Sequence, residues 1–213
     1  MTELPETLTL QGRMFLLAYD PERGRMTGRA DLDLLLRAAA LADLLRLGLL
    51  RDESGRPVVA GPAPAGLDPL LADTLRRLAE GRSRPWHRWV AAGRRGTARA
   101  VRARLADQGL VRLEEYRALG LFTRVRMEPR DQRARKALAG AVSAALRDPL
   151  SRVPVADAAL VALADAARLS VVLNSRQRRE HKQRIADLAA LCGPVPAALR
   201  RAVRDRQTAA ASG

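Results

Sequence analysis

The chain has 213 residues and a formal net charge of +15, and 36 of its 38 basic residues are arginines. Hydrophobic residues make up 47% of the sequence and aromatic residues 3%, so leucine, alanine and valine must supply the core. This composition favours closely packed helices over a sandwich of aromatic and β-branched strands. The single cysteine, Cys192, excludes a disulfide framework. The high charge predicts a polyanionic partner, either nucleic acid or an anionic membrane surface.

Two helices are predicted at the start of the chain. Thr9 is a typical cap residue, and an apolar face follows it at helical spacing. Residues 20–24 indicate a turn, and a strongly apolar helix is predicted over residues 30–47, with Gly48 as its left-handed stop. Charged residues interrupt this helix, which therefore lacks the roughly 18 uninterrupted apolar residues of a membrane span. We expect a cytoplasmic protein, peripherally associated with the inner face of the membrane.

The middle of the chain combines helices with one β-hairpin. A short extended pair around residues 49–50 and 58–59 precedes a linker rich in proline and glycine. Alternating residues in 110–113 and 121–127 predict the two strands of the hairpin. Three helices are predicted between the linker and the hairpin, over residues 67–80, from Pro85 onward, and over residues 97–107 with Thr97 as cap and Gly109 as stop.

The last third of the chain is predicted to be helical. Residues 156–169 are almost entirely apolar and indicate a central helix, whereas the two helices that close the chain are basic. The four predicted helices cover residues 134–146, 156–169, 178–192 and 195–207. The sequence therefore predicts a mostly α fold, namely a single compact helical domain over residues 1–208 with one β-hairpin, followed by a disordered tail over residues 209–213.

Three motifs occur in an order that is typical of one known family. The chain opens with two leucine-rich helices around an acidic turn. Residues 70–75 read Leu-Leu-Ala-Asp-Thr-Leu, and residues 99–105 read Arg-Ala-Val-Arg-Ala-Arg-Leu before Gly109. This order resembles the Golgi phosphoprotein 3 family, whose members bind phosphoinositide on a membrane surface. The resemblance covers about residues 6–205 and implies an anionic phospholipid, similar to phosphatidylinositol 4-phosphate, as the partner.

Arg37 is the first candidate for binding the lipid headgroup. It interrupts an apolar helix, and charged residues are rarely buried without a partner. Aligned on Asp43, Arg37 falls on the arginine that contacts the lipid phosphate in the resembled family. The tryptophan of the family's pocket corresponds here to Gly28 or Arg29, so the identity of the lipid stays open. From the residues alone, a snorkelling side chain, a salt bridge to Asp33 or bonds to the turn carbonyls at Leu41 explain Arg37 as well.

Arg99 and Arg102 are the other two headgroup candidates. They lie three residues apart on one face of their helix, where two guanidinium groups are able to bind one phosphate. In the resembled family this pair completes the headgroup pocket. Alignment on Gly109 would instead bring Arg95 and Ala98 to these positions. The other interpretation of the pair is a solvated basic face.

The resemblance also implies protein partners. Members of the family bind short basic tails of membrane proteins and associate with copies of themselves through the hairpin. The corresponding apolar residues of this hairpin are Leu119, Leu121, Phe122 and Val125. Neither His87 nor His181 has a second ligand at metal-binding spacing, and no nucleophile or nucleotide motif occurs, so we expect neither a metal, nor a cofactor, nor catalysis.

Nucleic-acid binding is the alternative function. Residues 97–127 are predicted to run helix, strand, loop, strand, which is the layout of a winged-helix module. Its helix would present Arg99, Arg102 and Arg104 to phosphate groups, and its wing would present Arg124 and Arg126. Against this, the basic face of the helix lacks the asparagine, glutamine or serine side chains that commonly contact base edges.

Overall fold

A computed structural model describes residues 8–93, 96–118, 122–130 and 132–212, and within residues 115–126 it describes the backbone alone. The described part is mostly helical, which confirms the predicted fold class. Its helices are α1 (Leu10–Leu17), α2 (Leu32–Arg46), α3 (Pro69–Glu80), α4 (Trp86–Ala91), α5 (Thr97–Asp107), α6 (Gln132–Arg147), α7 (Val155–Ala166), α8 (Ser175–Glu180), α9 (Lys182–Ala190) and α10 (Val195–Ala211). Its strands are β1 (Tyr19–Asp20), β2 (Arg25–Met26), β3 (Leu50–Glu53), β4 (Arg56–Val59), β5 (Val111–Ala118) and β6 (Phe122–Pro129).

The strands form three antiparallel pairs, where the sequence predicts one hairpin. The predicted hairpin is the pair β5–β6. The predicted extended pair is a second hairpin, β3–β4, which turns at Ser54 and Gly55, both with positive φ (51° and 77°). The third pair, β1–β2, is closed by the predicted turn, in which Asp20 Oδ1 accepts hydrogen bonds from the amides of Glu22 (3.0 Å) and Arg23 (3.2 Å). Strands of two residues are too short to show an alternating pattern, so the sequence does not reveal them.

Helices α2 and α7 form the centre of the core. Leu36, Leu44, Leu160 and Leu163 are completely buried, and small alanines between them let neighbouring helices approach closely. Helix α2 packs against α1, α3, α4, α5, α7 and α10, and α7 packs in addition against α1, α6, α9 and α10. Because α2 is enclosed on so many sides, its charged side chains need partners from other elements. No helix in the described ranges combines the length and the apolarity that crossing a bilayer requires.

Asp43 links the C-terminal half of α2 to the beginning of α1. It is 1% exposed, and its carboxylate accepts hydrogen bonds from the amide of Leu10 at 2.6 Å and from Arg46 Nη2 at 3.0 Å. Thr9 caps α1 as predicted, because its hydroxyl oxygen accepts a bond from the Gly12 amide at 3.2 Å. Burial raises the pKa of Asp43, while the bonds from Leu10 and Arg46 act in the opposite direction.

The C-terminal helices differ from the prediction in two places. The basic helix predicted over residues 178–192 is two helices, α8 and α9, which meet at His181, where the backbone leaves helical geometry (φ −103°, ψ 22°). Asn174 and Gln177 form a capping box that starts α8 earlier than predicted. Helix α10 continues to Ala211, so residues 209–211, predicted to begin a disordered tail, are helical. Alanine is the strongest helix former, and nothing between Gln207 and Ala211 interrupts the helix.

Candidate functional site

Asp33 joins the N-terminal ends of α2 and α5. Its carboxylate accepts hydrogen bonds from the amides of Ala98 at 2.7 Å and Gly96 at 3.1 Å. Thr97 is therefore not the cap predicted from the sequence, because Gly96 holds the N-cap position and Asp33 supplies the capping oxygens from another helix. Gly96 has a φ of 128°, a conformation that residues with a side chain rarely adopt. The link fixes the position from which α5 presents its arginines.

A cavity of about 950 Å³ opens between the β1–β2 turn, the start of α2 and the exposed face of α5. We call it the arginine cavity, because Arg23, Arg25, Arg29, Arg99 and Arg102 line it. The remaining lining residues are Phe15, Tyr19, Gly24, Met26, Leu32, Asp33, Gly96, Ala98, Glu114 and Met127. The structure therefore brings the predicted pair Arg99 and Arg102 together with three further arginines that lie at least 70 residues earlier in the chain.

Four arginines of this cavity have no carboxylate partner in the described part of the chain. Among the described residues, no carboxylate lies within ion-pair distance of Arg25, Arg29, Arg99 or Arg102. The acidic lining residues are engaged elsewhere, since Asp33 caps α5 and Glu114 pairs with Arg112 at 3.3 Å. Arginine side chains are suited to binding phosphate, because a guanidinium group is able to donate two parallel hydrogen bonds to phosphate oxygens.

The floor of the arginine cavity is apolar. Phe15, Leu32 and Met127 are at most 7% exposed, and Met26 packs on the core from β2 with part of its side chain open. A site with a basic rim and an apolar floor suits a ligand that carries both an anionic group and less polar atoms.

Arg37 lies outside the arginine cavity. Its Nε donates to the backbone carbonyl of Val90 at 2.6 Å, and its Nη1 donates to the hydroxyl oxygen of Thr97 at 3.3 Å. These bonds tie α2 to the end of α4 and the start of α5. Burial lowers the pKa of Arg37, while the charge of Asp33 raises it. Arg37 and Asp33 form no direct ion pair, so the salt bridge predicted as one alternative is wrong.

A second cavity, of about 790 Å³, receives the Arg37 side chain instead. Gly96 lines both cavities, so they are neighbours on either side of the Asp33 link. Gly93 contacts the Arg37 side chain closely, because a Cβ at residue 93 would lie 3.3 Å from Arg37 Cδ. The three arginines proposed from the sequence are thus divided between two cavities, with Arg99 and Arg102 in one and Arg37 in the other.

Residues 10–206 match the family model of Golgi phosphoprotein 3 (GPP34). The chain belongs to the Golgi phosphoprotein 3 family. The match covers the arginine cavity, the second cavity and all elements of the core except the last turn of α10. It confirms the resemblance found in the sequence motifs. A search of curated proteins returned no match.

The self-association residues that the family resemblance suggests are placed only in part. Leu119 and Leu121 lie outside the described residues, as does Arg95, the alternative to Arg99. The backbones of Phe122 and Val125 belong to β6 and pair with Ala118 and Glu115 of β5, and their side chains lie outside the description. Self-association through this hairpin stays a prediction.

Arg23 and Arg25 are cavity residues that the sequence analysis did not identify, and Arg29 was noted only at the position of the family's tryptophan. All three lie beside glycines with positive φ, Gly24 (57°) and Gly28 (61°), which turn the chain back over the start of α2. Arginines that flank two closely spaced glycines are a weak sequence signal, and only the tertiary structure shows that they line the same cavity as Arg99 and Arg102.

Proposed function

We propose that this chain is a peripheral membrane protein that binds the anionic headgroup of a phospholipid, similar to phosphatidylinositol 4-phosphate, in the arginine cavity. The observation that carries the proposal is the group Arg25, Arg29, Arg99 and Arg102, which surrounds one open cavity without carboxylate partners in the described part of the chain. Membership in the Golgi phosphoprotein 3 family supports a role of this kind.

The charge of the cavity favours phosphate in two ways. Each arginine near an anionic surface contributes about 1 kcal/mol of attraction, so that four give about 4 kcal/mol before screening by salt. A terminal phosphate monoester adds specificity, because its oxygens accept paired hydrogen bonds from guanidinium groups on different elements. In this proposal Arg29 stands in for the family's tryptophan, and binding depends on charge more than on aromatic insertion.

Arg37 takes a positioning role in the proposal. Its guanidinium already donates to Val90 and Thr97, so it acts on the headgroup through the position of α5, which carries Arg99 and Arg102. Replacing Arg37 is therefore expected to weaken headgroup binding by shifting α5, together with a loss of stability.

Sedimentation with vesicles over a salt series tests the proposal. Three vesicle types are compared: phosphatidylcholine alone, phosphatidylcholine with phosphatidylserine, and phosphatidylcholine with phosphatidylinositol 4-phosphate at matched charge. The variant Arg29→Ala/Arg99→Ala removes two exposed cavity arginines. The matched control, Arg82→Ala/Arg152→Ala, removes the same charge from two exposed arginines that line neither cavity.

We expect the wild-type protein and the control to prefer phosphatidylinositol 4-phosphate, and the cavity variant to lose this preference. Equal binding to both anionic vesicles by all three proteins would contradict a headgroup site. It would indicate that binding depends only on the overall positive charge of the protein. Duplex DNA is added as a competitor in the same assay. If DNA displaces the protein from every anionic vesicle at modest salt, nucleic acid becomes the better candidate.

A further inference from the structure

The second cavity has the features of a ligand site in its own right. It lies between α1, α2, α3, α4 and the start of α5 and holds about 790 Å³. Its lining is more apolar than that of the arginine cavity, with Leu41, Leu70, Ala92 and Ala100 beside the indole of Trp89. We call it the Gln11 cavity, after the buried glutamine of α1 that reaches it.

Within the described part of the chain, two buried polar atoms at this cavity have no hydrogen-bond partner. Gln11 is 3% exposed, and its Oε1 accepts no hydrogen bond; the Trp89 indole Nε1 is buried and donates none. Neither residue has another interaction that would satisfy these atoms within the described ranges. Buried donors and acceptors are almost always paired in native proteins, and an unpaired one is costly. The Gln11 acceptor and the Trp89 donor at the same cavity would both be satisfied by a ligand that carries one hydrogen-bond donor and one acceptor.

The Trp89 ring is held in place by its surroundings. The guanidinium carbon of Arg84 lies 4.8 Å from the ring centroid, in cation–π geometry. The far edge of the ring packs so closely on Gly81 that a Cβ there would lie 2.5 Å from Trp89 Cη2. These contacts fix the orientation of the ring and therefore of its N–H group.

The charged residues at the Gln11 cavity are able to pair with one further anionic group. Asp73 is neutralised by Arg76 and Arg77, with N–O distances of 2.7 and 2.8 Å. Arg37 uses Nε and Nη1 for Val90 and Thr97, and its Nη2 donates to no described residue. The same cavity is thus lined by Arg37, Gln11 and Trp89, each of which has one polar atom without a partner among the described residues.

We propose that the Gln11 cavity binds an amphiphile of the N-acyl amino acid class. The amide N–H of such a molecule donates to Gln11 Oε1, its amide carbonyl accepts from Trp89 Nε1, and its carboxylate accepts from Arg37. The acyl chain lies on Leu41 and Leu70. The proposal goes beyond headgroup binding and does not depend on it, since it concerns a different cavity and a different ligand.

Two of the described residues that line the cavity are glycines. Gly93 and Gly96 line it, are exposed, and hold φ values of 135° and 128°, so no side chain from either position covers the cavity. Gln11 Oε1 and Trp89 Nε1 are enclosed in the ligand-free fold. Ligand binding at these atoms therefore requires movement of the groups that enclose them, and the Gln11 side chain has three rotatable bonds for such a movement.

Titration with N-octanoylglycine, followed by NMR of the indole N–H groups, tests the proposal. The chain has two tryptophans, which give two indole signals. Trp86 serves as an internal reference, because its indole N–H already donates to Asp52. Two analogues are titrated in parallel: N-octanoylsarcosine, which lacks the amide N–H, and decanoate, which lacks the amide.

We expect N-octanoylglycine to shift the Trp89 signal saturably and to leave the Trp86 signal in place. Each analogue should bind roughly tenfold more weakly, because each loses at least one buried hydrogen bond. Gln11→Leu should remove the preference for N-octanoylglycine over N-octanoylsarcosine. The control Gln207→Leu, on the exposed face of α10, should keep it.

Three results would overturn the proposal: no saturable shift, equal shifts of both indoles, or equal affinity for N-octanoylglycine and decanoate. The first would leave ordered water as the occupant of the cavity. Vesicle binding by Gln11→Leu separates this proposal from headgroup binding. Because Gln11 does not line the arginine cavity, the variant should bind phosphatidylinositol 4-phosphate vesicles like the wild type whichever way the titration comes out.

Discussion

Replacing Asp33 by alanine tests the link that positions both cavities. The change removes the acceptor for two amides at the start of α5, with N–O distances of 2.7 Å at Ala98 and 3.1 Å at Gly96. Loss of an N-cap costs about 1 kcal/mol, and loss of a negative charge at a helix N-terminus costs about 0.5 kcal/mol more. For a chain of this size, about 1.5 kcal/mol corresponds to a decrease in Tm of roughly 3–6 °C.

The assay is thermal unfolding followed by circular dichroism, combined with hydrogen exchange at the amides of residues 96–101. Asp107→Ala is the matched control, because Asp107 is exposed at the opposite end of the same helix. We expect Asp33→Ala to lower Tm and to speed exchange at Ala98, and Asp107→Ala to leave both almost unchanged. Equal Tm values for the two variants, with Ala98 still protected, would refute the role of Asp33.

Three further predictions concern buried polar groups. Arg37→Met leaves the carbonyl of Val90 without its charged donor, and we expect it to lower the free energy of unfolding in urea by about 2 kcal/mol. Gln11→Leu removes an unpaired buried acceptor, and we expect it to leave stability unchanged or raise it by about 1 kcal/mol in the same experiment. The raised pKa of Asp43 means that its carboxylate binds a proton more tightly in the folded state than in the unfolded state. The free energy of unfolding of the wild type, relative to that of Asp43→Asn, should therefore increase as the pH falls from the raised pKa toward the ordinary value of 3.8.

Each of these predictions has an outcome that contradicts it. An Arg37→Met protein as stable as the wild type would show that Val90 finds another donor. A clear loss of stability in Gln11→Leu would show that the glutamine is satisfied in solution, for example by water. A stability difference between wild type and Asp43→Asn that stays flat with pH would mean that burial does not raise the pKa of Asp43.

Local features of the fold were predictable from the sequence. Asp68 and Pro69 start α3 as expected, and the Asp68 carboxylate accepts the Leu70 amide at 2.9 Å. Gly48 and Gly109 stop their helices with φ near 70°. Caps and turns involve residues that are close in the sequence, so they are predictable without knowledge of the tertiary structure.

Contacts between distant residues were not predictable in the same way. The cap of α5 comes from Asp33, 65 positions before Ala98, and the partner of Arg37 is Val90, 53 positions later. Arg99 and Arg102 were recognisable as a pair because they are three residues apart on one helix. Their meeting with Arg29 depends on how α2 and α5 pack, which the spacing of charges does not reveal.

The most direct test of the proposed function is the affinity for a soluble headgroup, inositol 1,4-bisphosphate, measured by isothermal titration calorimetry without any membrane. Loss of the hydrogen bonds from two cavity arginines, at about 1 kcal/mol for each arginine, predicts affinity roughly 30-fold weaker for Arg29→Ala/Arg99→Ala than for the wild type. The control Arg82→Ala/Arg152→Ala should bind like the wild type. If both double variants lose affinity equally, the arginine cavity is not the headgroup site and only the overall charge matters.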